Sequence, residues 1–406
     1  MRLVKCIGGT SHKKTILTIE RGQIIMLNVG IIGIGNAGNQ VAALANEQLS
    51  IPVIAINSSE KDLETLPAGI PKKLIKDASG LSKGAGKDRK LAKTYLKDTI
   101  LSFISSEEMT EFMTELDFCF IISSTGGGTG SGTAPIMTSI LNSTYPDVHT
   151  IIVGILPVDS EALSSHVNTL EYLTELYDKL PDQTYMLYDN DKFAGESSYH
   201  IMETVNSEIV KDIDVLRCSF NFTTKYDSID DKDMSRLISF PGRVAVARLD
   251  NFRDKECDTK SIEDMIIDKI KRSAHVETQR DKKVMATGVI TNLSHTLNEE
   301  FDDNCIKVRD FCGDPVHSFK HIYILEDRAV GNNVFYIMSG LTRINDKINK
   351  ISDRIADIEE RQRIMEEESA LSHVNMAELS EKISDKESVN KDSETDLKDI
   401  FSQFGV

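Results

Sequence analysis

The chain has 406 residues, 40% of them hydrophobic, and a formal net charge of −17. That length allows about two domains with real cores, and the acidity excludes a body that holds nucleic acid directly through clustered Lys and Arg. Six scattered cysteines without a CxxC pair point to free thiols in a reducing cytoplasm, and neither a bilayer-spanning apolar run nor a signal-peptide pattern is present, so no membrane partner is expected.

Residues 1–25 look detached from the rest of the chain, and two readings stay open. Met26 is a natural start, with Glu20-Arg21-Gly22 as a translated ribosome-binding site; or the segment is an added arm or hairpin, with a short strand at Ile16–Ile19. From Met26 onward, apolar strands at 27–34, 52–57, 117–124, 150–156 and 184–188 alternate with helices at 37–48, 88–104, 133–142 and 161–180. Such alternation predicts an α/β domain, 26–197, built on a Rossmann-like parallel sheet. A long central helix is expected at 198–217. A second, smaller α/β domain is expected over 218–341, with strands at 243–249, 284–292, 319–326 and 333–339 and helices near 261–273 and 295–302. Beyond Gly340, isoleucines 344, 348, 351, 355 and 358 and Met365 recur at alternating four and three, interrupted at Gln362 and Ser369. That spacing predicts a long amphipathic helix over 342–371. Residues 372–406 form an acidic, Ser-rich tail with too little apolar content to fold alone, predicted to be disordered and ending in an apolar cluster with Phe401 and Phe404.

Two glycine loops carry the chemistry. Ser123-Ser124-Thr125-Gly126-Gly127-Gly128-Thr129-Gly130-Ser131-Gly132 lies after an apolar strand and opens a helix with Pro135 in its expected first turn. Glycines let backbone N–H groups approach an anion, and a helix N-terminus adds unpaired donors and a positive dipole end. No Gly-Lys-Ser/Thr comes after it, so this phosphate cradle is not a Walker loop. Gly33-Ile34-Gly35-Asn36-Ala37-Gly38 satisfies GxGxxG between strand and helix. A dinucleotide site would add an acid after the next strand, where this chain has Asn57.

The string GGGTGSG closely resembles the signature loop of the tubulin/FtsZ superfamily, and GNAGNQ at 35–40 resembles the first nucleotide loop of tubulin, differing at Asn36. The resemblance covers about residues 26–341. It implies GTP and Mg²⁺, the metal arriving through the phosphates with no protein ligand assigned. Phosphate binding is implied for Gly35, Asn36, Ala37 and Asn39, for Gly84, Ala85 and Gly86, and for Gly126, Gly127, Gly128, Thr129, Gly130 and Ser131. The third loop departs from the family at Lys87, which reads either as a γ-phosphate contact or as a solvated side chain. Asn190 and Asn206 match base-contacting positions, and Glu161 is the nearest match to a ribose-binding acid, without the basic residue that often accompanies it in sequence. Ser228-Ile229-Asp230-Asp231-Lys232-Asp233 resembles the catalytic loop, Asp230 and Asp233 keeping its two acids while Ser228 replaces its Asn.

The tubulin-like first loop, the divergent third loop and the long C-terminal helix are most similar to the TubZ-type (or PhuZ-type) homologues of phages and plasmids. The resemblance therefore implies a cytoplasmic GTPase that assembles head to tail with itself. Asp230 and Asp233 of one subunit would complete hydrolysis on the next. Segregation or positioning of plasmid or phage DNA would run through a DNA-binding adaptor held by the tail. The alternatives are a cell-division FtsZ-like protein, a Rossmann NAD-dependent oxidoreductase and a non-hydrolysing GTP-binding scaffold.

Overall fold

The structure, a computed structural model, describes residues 18–19, 22–23, 27–77, 79–80, 84–217, 229–257, 259–275, 283–324 and 331–384. Ser228, the expected strand end at 325–326 and most of 1–26 and of the tail lie outside the described residues. β1 (Thr18–Ile19) and β2 (Gly22–Gln23) pair antiparallel; Ile16 and Leu17 of the strand expected there lie outside the described residues.

The first half runs β3 (Val29–Ile34), α1 (Gly35–Leu49), β4 (Val53–Asn57), α2 (Glu60–Glu64), β5 (Lys72–Leu74), α3 (Arg89–Ile104), α4 (Glu107–Thr114), β6 (Phe118–Ser124), α5 (Thr129–Thr144), β7 (His149–Leu156), α6 (Leu163–Lys179) and β8 (Thr184–Asp189). Its strands lie parallel in the order β5-β4-β3-β6-β7-β8. β3 and β4 are buried along their whole length, as strands covered on both faces must be. Chain order reverses between β3 and β6, so the loops after these two strands part and leave a crevice at their carboxyl ends.

The second half comprises α7 (Ser198–Arg217), α8 (Asp231–Ile238), β9 (Gly242–Phe252), α9 (Ile262–Arg272), β10 (Val284–Leu293), α10 (His295–Glu300), α11 (Ile306–Cys312), β11 (Pro315–Ile324), β12 (Asn332–Leu341) and α12 (Asn345–Ser384). It adds no separate sheet. β9 pairs with β8 through Thr184↔Gly242 and Tyr185↔Arg243, and the sheet continues as β9-β12-β10-β11 to a total of ten strands. One core joins α1, α7 and α8 on one face of both halves; another packs α9, α10 and α11 against β9, β10 and β12.

Two expectations need correction. α5 begins at Thr129, inside the glycine loop, so Pro135 is its seventh residue and not in its first turn. The glycines permit an earlier helical start than a strand-then-loop reading allows. α12 continues past 371 to Ser384, because 372–384 holds strong helix formers such as Ala377, Glu378, Leu379 and Lys382 and no Gly or Pro. The chain divides into two compact units, 1–352 and 353–406. In the first, Ile344 and Ile351 of the isoleucine seam are buried; in the second, Ile355 and Ile358 are half-buried and Ile364 and Met365 exposed. Among the described residues no helix is long and apolar enough to cross a membrane.

Candidate functional site

The first loop turns directly from β3 into α1. Gly35 has φ +73°, which an L side chain rarely adopts, and a Cβ there would stand 3.2 Å from the Gly130 nitrogen. The starts of α1 and α5 therefore lie side by side. Asn36 is exposed and accepts from Gln40 Nε2 at 3.3 Å. Asn39 is buried; its Nδ2 donates to the Ile56 carbonyl at 3.2 Å, tying α1 to the end of β4, while its Oδ1 has no partner.

The second glycine loop is oriented from behind by a residue that motif reading missed. Asn168 on α6 donates from Nδ2 to the carbonyls of Lys87, Gly126 and Gly127 at 3.0, 3.2 and 3.1 Å. In a trans peptide the N–H points opposite to the carbonyl before it. Turning the Gly126 and Gly127 carbonyls toward Asn168 thus aims the N–H groups of Gly127 and Gly128 the other way, and the Gly127 carbonyl is held further by Ser131 Oγ in the first turn of α5. The first-turn donors of that helix add to them. A Cβ on Gly127 would meet nothing within 4 Å, so this residue faces open space. A Cβ on Gly128 would come within 2.9 Å of the backbone of Lys87 and Asp88, so this glycine is needed for loop-on-loop packing.

Thr129 accepts or donates a 2.6 Å bond with Ser58 Oγ, which joins the loop after β4 to the cradle. Asn57 is turned into its own loop: its Oδ1 accepts from the nitrogens of Ser58 and Ser59, and its Nδ2 donates to Asp62. The third loop leans on the same segment, Gly84 N donating to Ser58 O at 3.0 Å. Gly84 and Gly86 both have positive φ, and Ala85 O accepts from Asp88 N. Neither reading of Lys87 anticipated its partners. It donates from Nζ to Ser165 Oγ at 2.6 Å and lies 3.7 Å from Glu161 Oε2, so the acid does have a basic partner, from a distant loop. Below it, the buried Arg89 binds Asn168 O, Glu171 and Glu175, locking α3 to α6.

Asn190 lies where β8 passes into a short 3-10 helix, and its Oδ1 is buried without a hydrogen-bond partner. Around it, Lys347 from the first turn of α12 sits 3.1, 3.4 and 3.9 Å from Asp189, Asp191 and Asp159. Burial pulls the Lys347 ammonium down, and the three carboxylates more than restore it, so it stays charged. Asn206 is half-buried on α7. Further along α7, Asp212 accepts from Tyr188 Oη at 2.9 Å and Arg248 Nε at 2.6 Å and contacts His275 at 2.9 Å. Burial pushes its carboxyl up, and His275 and Arg248 reverse this, leaving it below the ordinary carboxylate range. The strand that presents Asn190 is thereby clamped to α7 and β9.

Asp230 and Asp233 stand apart from these loops. Asp230 N-caps α8, accepting from Asp233 N at 2.8 Å, and Ile229 N donates to His321 Nδ1 at 3.1 Å. Two residues past α8, Phe240 O accepts from Thr184 Oγ1 at the start of β8, whereas the glycine loops lie at the carboxyl ends of the parallel strands. Among the described residues no three His, Cys, Asp or Glu side chains gather to hold a metal. The signal that would have revealed Asn168 is a polar stripe, Ser165, Asn168, Thr169, Tyr172, on the buried face of α6.

Residues 24–197 match the Tubulin/FtsZ family, GTPase domain. The tubulin-like protein CetZ of Pyrococcus horikoshii is 27% identical over 190 residues, 45% of this chain and 50% of that protein, so the chain spans about half the length of the curated relatives it matches. The crystal structure of Clostridium botulinum phage c-st TubZ superposes with a TM-score of 0.66 at 19% identity, covering 82% of this chain and 99% of that one. A GTPγS-bound protofilament of CetZ2 from Haloferax volcanii does so with 0.62 at 20% identity, covering 82% and 100%. The class is therefore a tubulin/FtsZ-fold protein. Residues 24–197 are similar to that family's GTPase domain, and TubZ and CetZ proteins are structural neighbours.

Proposed function

We propose that this protein binds and hydrolyses GTP and assembles head to tail into filaments, as a cytomotive protein of the TubZ type. The observation that carries the reading is the orientation of the Gly126–Gly128 loop by Asn168, which presents backbone N–H groups and a helix N-terminus to a phosphate chain. The orphaned Oδ1 of Asn190 supplies a buried acceptor for the N–H edge of guanine. Asn206 from α7 would close on the base, and Glu161 on the ribose. Mg²⁺ would enter on the phosphates and offset their charge.

Water attack at the γ-phosphorus breaks the bond to the β,γ-bridging oxygen and yields GDP and phosphate. A carboxylate that orients the water must reach the cradle. The position of α8 relative to the glycine loops supports delivery of Asp230 and Asp233 by the neighbouring subunit. A head-to-tail contact that does not close gives a filament. The chain's net charge of −17 supports cargo attachment through a DNA-binding adaptor on the tail rather than direct DNA binding, and its scattered cysteines support residence in the cytoplasm.

A second reading, a scaffold that binds GTP without hydrolysing it, is favoured by one observation: the Asp230 carboxylate is engaged as an N-cap. The oxidoreductase alternative is disfavoured because Asn57, not an acid, ends β4 and is turned into its own loop, where the nearby Asp62 is taken up by Asn57 Nδ2. Light scattering with GTP, GDP or NAD, alongside phosphate release, tests all three. GTP-dependent scattering with phosphate release is expected. Scattering without release supports the scaffold, and nicotinamide binding without GTP binding refutes the proposal.

A further inference from the structure

A cavity of about 220 Å³ opens among the end of β8, the first residues of β9 and the start of α12. It shares no residue with the glycine loops. Six cations line it: Lys192, Arg243, Lys283, Arg343, Lys347 and Lys350. Against them stand Asp189, Asp191 and Asp346, leaving the wall positive in a chain whose formal charge is −17. A concentration of positive charge in so acidic a protein is a local focus for anions.

The cations differ in what already engages them. Lys347 is held by Asp189, Asp191 and Asp159. Lys192, Lys283 and Lys350 make no ion pair among the described residues. Arg343 is fixed by its neighbours, with its guanidinium 4.8 Å over the Tyr177 ring and NH2 donating to Tyr177 O at 3.0 Å. Arg243 is only 3% exposed, and burial pulls its guanidinium down. An anion beside such a guanidinium gains more than it would in water.

We propose that this cavity is an anion site for a small phosphate-bearing molecule with two or more negative charges. A guanidinium at the cavity wall suits a tetrahedral oxyanion, which accepts charge-assisted N–H bonds. The three lysines supply adjustable charge at the rim. The volume of about 220 Å³ suits a compact ligand. Inorganic pyrophosphate and a phosphomonoester share the required chemistry. Because Asp189, Asp191 and Lys347 also flank Asn190, the occupant would touch the frame of the proposed base site, and the two affinities would be linked reciprocally.

The test is calorimetric titration of the full chain, saturated with GDP so that the glycine loops are filled. Pyrophosphate is used in one arm and glycerol 3-phosphate in the other. One saturable site that weakens with salt is expected in at least one arm, and the arm that binds tighter identifies the source. The double variant Lys283→Gln/Lys350→Gln should lose about tenfold or more in anion affinity, equivalent to about 1.4 kcal/mol. Its GDP affinity, measured without added anion, should stay within about twofold of wild type. Absence of saturable heat in both arms, or equal anion affinity in wild type and variant, overturns the proposal. The variant separates this site from the glycine loops whether or not GDP is held, so the two readings fail independently.

Discussion

Asn168→Ala removes one NH₂ group that serves three backbone carbonyls, those of Lys87, Gly126 and Gly127. That group has two hydrogens, so the loss is two hydrogen bonds shared over three acceptors. At about 0.5–1.5 kcal/mol net for each bond, the folded loop loses about 1–3 kcal/mol of preference for its present orientation. Nucleotide binding must then restore the orientation, which predicts an affinity weaker by about 5- to 150-fold. Asn168→Asp should be worse, because a carboxylate would face two or three carbonyl oxygens with no hydrogen to offer. Displacement of a fluorescent GDP analogue measures the affinity, and circular dichroism checks that the fold persists. If Asn168→Ala is folded and binds within twofold of wild type, the N–H groups of Gly127 and Gly128 are not what holds the phosphates.

The open and packed glycines should separate: Gly127→Ala should fold normally and weaken GTP, whereas Gly128→Ala should also lower Tm, because its Cβ meets the Lys87–Asp88 backbone. Equal thermal stability of the two variants contradicts that division. Asp230→Asn keeps an N-cap while removing the charge, and Asp230→Ala loses both, at a stability cost of about 1 kcal/mol. Similar losses of GTP turnover in the two variants identify catalysis; a loss confined to the Ala variant identifies capping. His321, depressed to about 4 by burial, resists protonation in the folded protein while the unfolded chain takes the proton near its ordinary 6.5. Stability from this group is present above pH 6.5 and falls as pH drops toward 4, so His321→Gln should flatten the dependence of Tm on pH over that window.

The parallel half of the fold is readable because its strands are short apolar runs separated by helices, and both glycine loops fall between strand and helix. The short pieces are not. β5, with the sequence Lys72-Lys73-Leu74, has no apolar alternation, and α8 is hidden in a run of acids that reads as a turn. The continuity of the sheet is also invisible in sequence, since it depends on the registration of Thr184 with Gly242, a contact between distant segments. At the site, sequence motifs mark the backbone that would face a ligand. They cannot mark Asn168 or Lys347, whose roles arise from side chains reaching across elements far apart in the chain. Lys87 reads as an isolated cation until folding brings Ser165 and Glu161 to it.

The junction between β8 and β9 has a mechanical consequence. Only two residue pairs register there, whereas nine register between β10 and β11. The wide sheet therefore has a narrow waist. The Tyr188–Asp212–Arg248 chain crosses that waist as a stiff, buried brace from β8 through α7 to β9. A torque applied to one half would concentrate at the waist and load the brace before it bent the broad plates on either side. Tyr188 lies two positions before Asn190, so a twist transmitted through the brace would be felt first at the end of β8.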